Sequence, residues 1–332
     1  MDRPIRDQVV VITGASSGIG RCTALHLAGL GASVVLTARR ADALEQVVRE
    51  IRAGGGRAIA VPGEVTRADD LRAVADAAVQ RFGRIDTWVN NAGVYLQGRV
   101  QDISLDEYRR VLDVNFVGLV NGTQRALEVM LPRGEGVIVQ VSSVAAKRGV
   151  PFTSPYSASK AAVAAFASAL RAELLGSGVR LSVLYPPSVD TPIYDSARGK
   201  LGVAPKPAAP IYDPLSAARA IEHLARTGER ERYFGWAGPL AALDAASPAL
   251  GDWLLHRVAG FTYSDAPAHA DDNLDSPART IPPAVRAGWA RPGWRGLTVR
   301  ESVRVLPVES MLAAAALGFV CARAARRLRA LV

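Results

Sequence analysis

Tyr156 and Lys160 stand four residues apart in the stretch PYSASK, in a chain that otherwise uses arginine for nearly every cation. Against 36 arginines there are four lysines, Lys147, Lys160, Lys200 and Lys206. On a helix, positions i and i+4 share a face, so this phenol and this ammonium can meet. A free phenol has a pKa of about 10 and is a poor base at neutral pH. A nearby ammonium favours the phenolate and draws that value toward the range where a general acid/base works best. Lysine suits the role because its head is a compact point charge that can also bond a ribose hydroxyl, for which arginine's planar fork is no clean substitute. The plain alternative is a solvated helix face.

Ser143 precedes Tyr156 by 13 residues and closes the run GVIVQVSS. Hydride transfer to a carbonyl needs a donor toward the developing alkoxide. A serine at the C-terminal end of a strand lies where open α/β sheets bind ligands. Asn115, in LDVNFVGLV, is a polar residue within an otherwise apolar helical stretch. Its structural alternative is a core amide bonding a backbone carbonyl.

Short apolar, β-branched runs alternate with helical segments and must carry these groups. The strand candidates are 9–15, 33–38, 58–65, 85–93, 136–143 and 179–187, with a last one at 232–238 after a helix at 214–227. Nearly continuous apolar strands separated by helices predict an α/β fold with a doubly wound parallel sheet, the Rossmann fold. The expected organisation is a catalytic domain over residues 1–238, an irregular extension over 239–300 and a terminal helix over 301–332.

The first strand runs into TGASSGIG, with Gly14, Gly18 and Gly20 at a strand-to-helix junction. Glycines there allow a tight turn and a close approach of the backbone to a pyrophosphate, which helix N-terminal amides can bind. The second strand ends in Arg39 and Arg40, where a carboxylate would select NAD by holding the ribose hydroxyl. Two guanidiniums favour a 2′-phosphate instead, through charge-assisted bonds of about 1.5–3 kcal/mol. The alternative is a pair of solvated arginines at a helix start.

Taken together, TGASSGIG, NNAG (90–93), Asn115, Ser143 and YSASK resemble, in kind and order, the short-chain dehydrogenase/reductase family over about residues 7–236. The resemblance implies that Tyr156 is the proton donor/acceptor, that Lys160 binds the nicotinamide ribose and tunes the phenol, that Ser143 holds the substrate oxygen, and that Asn115 supports a water relay to Lys160. It implies cofactor contacts from Gly14, Ser16, Ser17, Gly18, Ile19, Gly20, Arg39, Arg40, Glu64, Val65, Asn91, Ala92, Gly93, Tyr156, Lys160, Pro186, Val189 and Thr191, and a homo-oligomer. TARR is similar to NADP-preferring members. Two positions depart from the family pattern: Glu64 stands where Asp is usual, and Pro187 follows Pro186 where Gly is usual, which removes an amide and stiffens the loop.

A charge of +9 raises the question of nucleic acid, yet the arginines are scattered, with a local cluster only near the end. A composition bias explains them, and no nucleic-acid partner is expected. Two distant cysteines and four histidines without paired spacing give neither a disulfide framework nor a zinc site. Asp271, Asn273 and Asp275 alternate as in a calcium loop, but Ser276 and Pro282 stand where that loop needs Gly and Glu. No metal is expected.

The first apolar run enters the glycine loop without a cleavage site, so a cytoplasmic location is expected. The resemblance implies a mobile substrate lid over residues 190–213, where the prolines with Tyr194, Leu201, Ile211 and Tyr212 suggest an apolar-lined cover for a bulky or lipophilic carbonyl compound. From Met311 to Ala322 the chain has 12 mainly apolar residues before Arg323. That is short of a membrane span but suited to lying on an anionic surface. The expected activity is NADP(H)-dependent interconversion of an alcohol and a ketone or aldehyde. A non-enzymatic NADP-binding scaffold or redox sensor and a membrane-surface lipid-modifying reductase remain as alternatives.

Overall fold

Runs such as VVVIT and SVVLT show no polar alternation, as expected when helices cover both faces of a parallel sheet. In the computed structural model, which describes residues 4–235, 237–238, 247, 249, 251–253, 262–268 and 271–289, these runs are β1 (Val9–Thr13) and β2 (Ser33–Thr37), buried throughout. The other main strands are β3 (Arg57–Ala60), β4 (Thr87–Asn90), β6 (Gly136–Val141), β7 (Val179–Tyr185) and β10 (Glu231–Tyr233). All neighbours pair in parallel in the order β10-β7-β6-β4-β1-β2-β3. Four short strands, β5 (Leu96–Gln97), β8 (Arg198–Gly199), β9 (Val203–Pro205) and β11 (Tyr263–Pro267), form two small ribbons beside the sheet.

Successive residues of a strand face opposite ways. Val10 and Ile12 join one core with helices α1 (Gly18–Gly29), α2 (Ala41–Ala53) and α7 (Pro214–Thr227). Val11 joins the other, with α3 (Ala68–Phe82), α5 (Gly118–Met130) and α6 (Ser154–Glu173). The doubly wound α/β architecture expected from the sequence is therefore present. Helix α4 (Leu105–Leu112) starts with a capping box between Ser104 and Glu107 and passes through one π-helical turn, Asp113–Val117, into α5.

Every main strand ends short of the run expected for it, and at two of them the cause is local. β3 stops at Ala60 because Pro62 has no amide to give, while Gly63 N returns to Ala38 O at 3.1 Å. The last strand stops at Tyr233, and Gly235 then turns away with φ +60°. Within 239–300, expected to be irregular, β11 pairs antiparallel with β9. The helix expected over 301–332 lies outside the described residues.

A polar cluster is sealed between β4, β6 and α5. Trp88 Nε1 donates to Asn90 Oδ1 at 2.9 Å, and Asn90 Nδ2 donates to Gln140 Oε1 at 3.0 Å and Thr123 Oγ1 at 3.2 Å. Gln140 Nε2 donates to Thr123 Oγ1 at 2.9 Å, and Thr123 passes its proton to Leu119 O at 2.8 Å. α5 can press on this cluster because position 122 is glycine: a Cβ there would lie 2.8 Å from Trp88 Nε1 and collide with Asn90 Oδ1. In an exposed helix, Gly→Ala stabilises by about 0.5–1 kcal/mol. Here overpacking of about 1–3 kcal/mol outweighs that gain, so Gly122→Ala is expected to lower the urea midpoint rather than raise it.

Candidate functional site

The loop after β1 presses against NNAG. Gly14 has φ +65°, and a Cβ on it would lie 2.8 Å from Ala92 Cα; a Cβ on Gly20 would lie 2.6 Å from Asn91 Nδ2. Thr13 fastens the two loops. Its hydroxyl accepts from Asn91 N at 2.9 Å and Ala92 N at 3.0 Å and donates to Val89 O at 3.4 Å, while Asn91 Nδ2 donates to Thr13 O at 3.0 Å. Gly14, Ser16, Ser17, Gly18 and Ile19 line a cleft of about 660 Å³ together with Asn91, Ala92 and Gly93. Gly20, expected among the cofactor contacts, is not part of the lining; its role is the close packing beneath the loop.

Ser143 follows β6, where its Oγ accepts from Ala145 N at 3.1 Å and lies near enough to the Tyr156 phenol to favour its ionised form. Tyr156 and Lys160 share one face of α6, with Lys160 Nζ 5.6 Å from the centre of the Tyr156 ring. Lys160 is 4% exposed, and its Nζ donates to Val141 O at 2.9 Å. Burial pulls the Lys160 ammonium down to about 8. Burial also pushes the Tyr156 phenol up, assisted by Tyr194 and opposed by the Ser143 hydroxyl. The expectation that Lys160 draws the phenol down is not met. Desolvation disfavours the charged form of both groups, so each leans toward its neutral form.

Asn115 is engaged as a core amide, the structural alternative weighed above. Its Oδ1 accepts from Val94 N at 2.8 Å, and its Nδ2 donates to Val94 O and Ser159 Oγ, each at 3.0 Å. Ser159 Oγ in turn donates to Tyr156 O at 2.7 Å, so Asn115 braces the turn of α6 that carries the phenol. The π-helical turn delivers Asn115 to this position, as such turns often do at functional sites. A Cβ on Gly93 would sit 3.3 Å from Asn115 Oδ1 and 3.7 Å from Lys160 Nζ, so a side chain at position 93 would crowd both groups.

At the far end of the cleft, Arg39, Arg40, Glu64 and Val65 are all in the lining. Arg39 and Arg40, expected as open donors, are already bonded to backbone carbonyls of residues 271–289. Arg39 Nη2 donates to Asn273 O at 2.7 Å, and Arg40 Nη1 donates to Ile281 O at 3.0 Å and Ala278 O at 3.3 Å. Arg39 Nη1 is nevertheless buried without a partner. A buried, unpaired guanidinium N–H costs free energy until an acceptor meets it, so this end fits an anionic group. The Glu64 carboxylate is taken by Arg110 Nη2 at 2.6 Å.

Pro186, Val189 and Thr191 line the middle of the cleft, as does Pro187. Pro186 O accepts from Val144 N at 3.0 Å, so the second proline leaves the loop in place beside β6. Around Tyr156 the walls are aromatic: its ring centre lies 4.9 Å from that of Tyr95, which lies 5.5 Å from that of Tyr194. Of the expected lid residues, Tyr194 lines this cleft. Leu201 lines a separate small hollow, and Ile211 and Tyr212 are core residues at 3% and 4% exposure. The segment is stitched down, with β8 paired to β5 and β9 to β11.

Thr13, Tyr95, Ser159 and Asn273 were not expected at the site. Thr13 adjoins the glycine loop and Ser159 lies inside YSASK, so both carried a local signal; Tyr95 and Asn273 carried none. The acidic residues of DDNLD are engaged by protein groups: Arg198 takes Asp272 at 2.9 Å and Asp275 at 2.8 Å, and Thr280 Oγ1 donates to Asp271 at 2.7 Å. Among the described residues no cluster suited to a metal ion is present, nor is any helix long and apolar enough to cross a membrane.

The sequence pattern of the short chain dehydrogenase family matches residues 8–201. The chain is 37% identical over 261 residues to the uncharacterized oxidoreductase YxnA of Bacillus subtilis, covering 77% of this chain and 73% of that one. It is 35% identical over 219 residues to a 3-oxoacyl-[acyl-carrier-protein] reductase of Synechocystis, covering 66% of this chain and 89% of that one. Among solved structures, a variant of the actinorhodin polyketide ketoreductase with NADPH superposes with a TM-score of 0.61 at 27% identity, covering 69% of this chain and 96% of that one.

The buried Lys160 has a measurable signature. Its folded pKa, about 8, lies below the value of 10.5 for a free lysine, so the folded state loses its proton first. Between those values the unfolded state binds more protons, and stability rises with pH. Lys160→Met is expected to remove that rise, as read from urea midpoints at about pH 7.5 and about pH 10.

Proposed function

Because the chain belongs to the short-chain dehydrogenase family, whose members are nicotinamide-dependent oxidoreductases, we propose that it is an NADP(H)-dependent reductase of ketones or aldehydes that also runs in reverse on alcohols. The observation that carries this reading is a single cleft with the Ser143, Tyr156 and Lys160 groups along its wall and a buried, unpaired Arg39 N–H at its far end. Arg39 and Arg40 would hold the 2′-phosphate, Gly14 to Ile19 the pyrophosphate, and Asn91 to Gly93 with Val189 and Thr191 the nicotinamide half. When bound, the cofactor supplies hydride to the substrate carbon or accepts it.

Tyr156 holds its proton, because burial disfavours the phenolate. It is therefore poised to donate to the carbonyl oxygen as charge develops there. The Ser143 hydroxyl, already at the phenol, donates to the same oxygen. Lys160 Nζ and Asn115 Oδ1 both lie close to Gly93, and we assign Asn115 the support of a water relay that returns the proton through Lys160. A phenol kept neutral favours reduction at neutral pH, whereas oxidation needs it ionised. Tyr95, Tyr194, Val150, Ile193 and Pro210 give the substrate end an apolar wall, which suits a bulky or lipophilic carbonyl compound.

Tyr156→Phe is expected to lower kcat on a turned-over substrate by about 10²- to 10⁴-fold; unchanged turnover would remove Tyr156 from the mechanism. Arg39→Ala is expected to raise the NADPH Kd by about tenfold to a hundredfold, with NADH little changed, in a fluorescence titration. For alcohol oxidation, kcat/KM is expected to keep climbing with pH through about pH 10 without a plateau, because burial holds the phenol above its free value of about 10, while the reduction rate does not climb.

A further inference from the structure

Residues 271–289 come late in the chain, yet they lie against the cofactor loop. One end is anchored by Arg198, which bonds Asp272 at 2.9 Å and Asp275 at 2.8 Å, and by Arg110 Nε, which donates to Leu274 O at 2.9 Å. The other end is anchored by the buried Asp190, whose Oδ1 accepts from Ala287 N at 3.2 Å and Trp289 N at 3.0 Å, and by the pair Arg286–Asp213 at 2.6 Å. Between the anchors, Pro277, Ala278, Ile281 and Pro282 line the cleft, and Gly18 N donates to Ala284 O at 2.9 Å. The segment walls the cleft without filling it.

The position of Asn273 is the informative one. Its N donates to Ser196 O at 2.9 Å, and its Nδ2 donates to Ser196 Oγ at 3.0 Å. Ser196 sends its own proton to Pro192 O at 2.9 Å, so Ser196 Oγ can only accept from Asn273, which fixes the amide orientation. Asn273 Oδ1 is then left as a buried acceptor without a partner, on the residue whose backbone carbonyl holds Arg39, and Arg39 Nη1 is a buried donor without a partner.

We infer that residues 271–289 are a strap that completes the cofactor site, closing over its adenosine end so that Asn273 and Arg39 meet the ligand together. The inference rests on the NADP(H) reading above. A bare anion offers acceptors only and would satisfy Arg39 alone. A 2′-phosphoadenosine offers phosphate oxygens to Arg39 and an amine or hydroxyl donor to Asn273. Because both atoms are shielded from water, the strap must shift as the ligand enters and settle as it binds, so strap position and cofactor occupancy are linked.

Hydrogen exchange on the full-length protein tests this with three probes: NADPH, adenosine 2′-monophosphate and inorganic phosphate. Both nucleotides are expected to slow exchange at the Asn273, Ala287 and Trp289 amides by about tenfold or more, an effect inorganic phosphate does not reproduce. Protection of the loop at residues 16–20 by NADPH with no change in the strap would overturn the strap and leave the cofactor reading intact. Failure of NADPH to bind at all would overturn the cofactor reading and the strap with it. Protection by inorganic phosphate equal to that by the nucleotides would overturn the role given to Asn273.

A variant supplies the second arm. Asp272→Ala releases the two-bond Arg198 anchor and leaves in place Asp275, whose charge acts on Arg39. This change is expected to raise the NADPH Kd by about tenfold, mainly through faster release. Unchanged or tighter binding in that variant would overturn the inference, because a strap that competes with the cofactor predicts tightening.

Discussion

One hydroxyl holds the two halves of the cleft together. Thr13, the last residue of the central strand β1, uses its single proton on Val89 O and both lone-pair directions on Asn91 N and Ala92 N. The glycine loop that follows β1 and the loop that follows β4 are thereby locked in register. A parallel sheet covered on both faces leaves its carboxyl edge for chemistry, and there the glycine-loop backbone and the wall bearing Val94 meet. Asn115 extends the lock from Val94 through Ser159 to the turn of α6 that carries Tyr156. The position of the phenol thus depends, through four polar groups, on the centre of the sheet.

Electrostatics inside the cleft are governed by desolvation more than by pairing. Tyr156 and Lys160 sit close enough to interact, but burial moves the phenol up and the ammonium down. Outside the cleft, arginines serve mainly as structural donors to carbonyls and carboxylates. Arg133 reaches Ile85 O and Glu135, and Arg171 reaches Leu181 O. The lysines divide differently: Lys147 pairs with Glu231 and lies over the Tyr185 ring, and Lys200 pairs with Glu107. Lys160 and Lys206 are the two that line the cleft. A point charge whose pKa yields to burial suits Lys160's position, where an arginine would stay charged.

The chain beyond the sheet also shapes the site. The segment after β7 is held by β5 on one side and by β11 on the other, so the wall bearing Tyr194 is tied to both the sheet domain and the extension. The strap is tied to that same segment through Ser196, Asp190 and Arg198. The wall bearing Tyr194 and the wall bearing Asn273 are therefore coupled through Ser196 and its neighbours, although they lie at opposite ends of the cleft.

The sequence by itself determined the layered fold, because nearly continuous apolar runs between helical segments leave few other ways to bury both faces. It also determined the order in which Gly14, Asn91, Asn115, Ser143, Tyr156 and Lys160 come to one edge, since each lies at a strand end or on a helix next to one. Element boundaries at Ala60 and Tyr233 were less legible, because Pro62 and Gly235 act through hydrogen-bond supply and backbone angle while the apolar run continues. Only the tertiary structure decided the direction in which Tyr156 titrates, because depth of burial is set by Tyr95, Tyr194 and the segment after β7, none of which is near Tyr156 in sequence. It alone decided that Arg39 and Arg40 face a strap, because the bonds are made by main-chain carbonyls of Asn273, Ala278 and Ile281, and a carbonyl is present whatever the residue type.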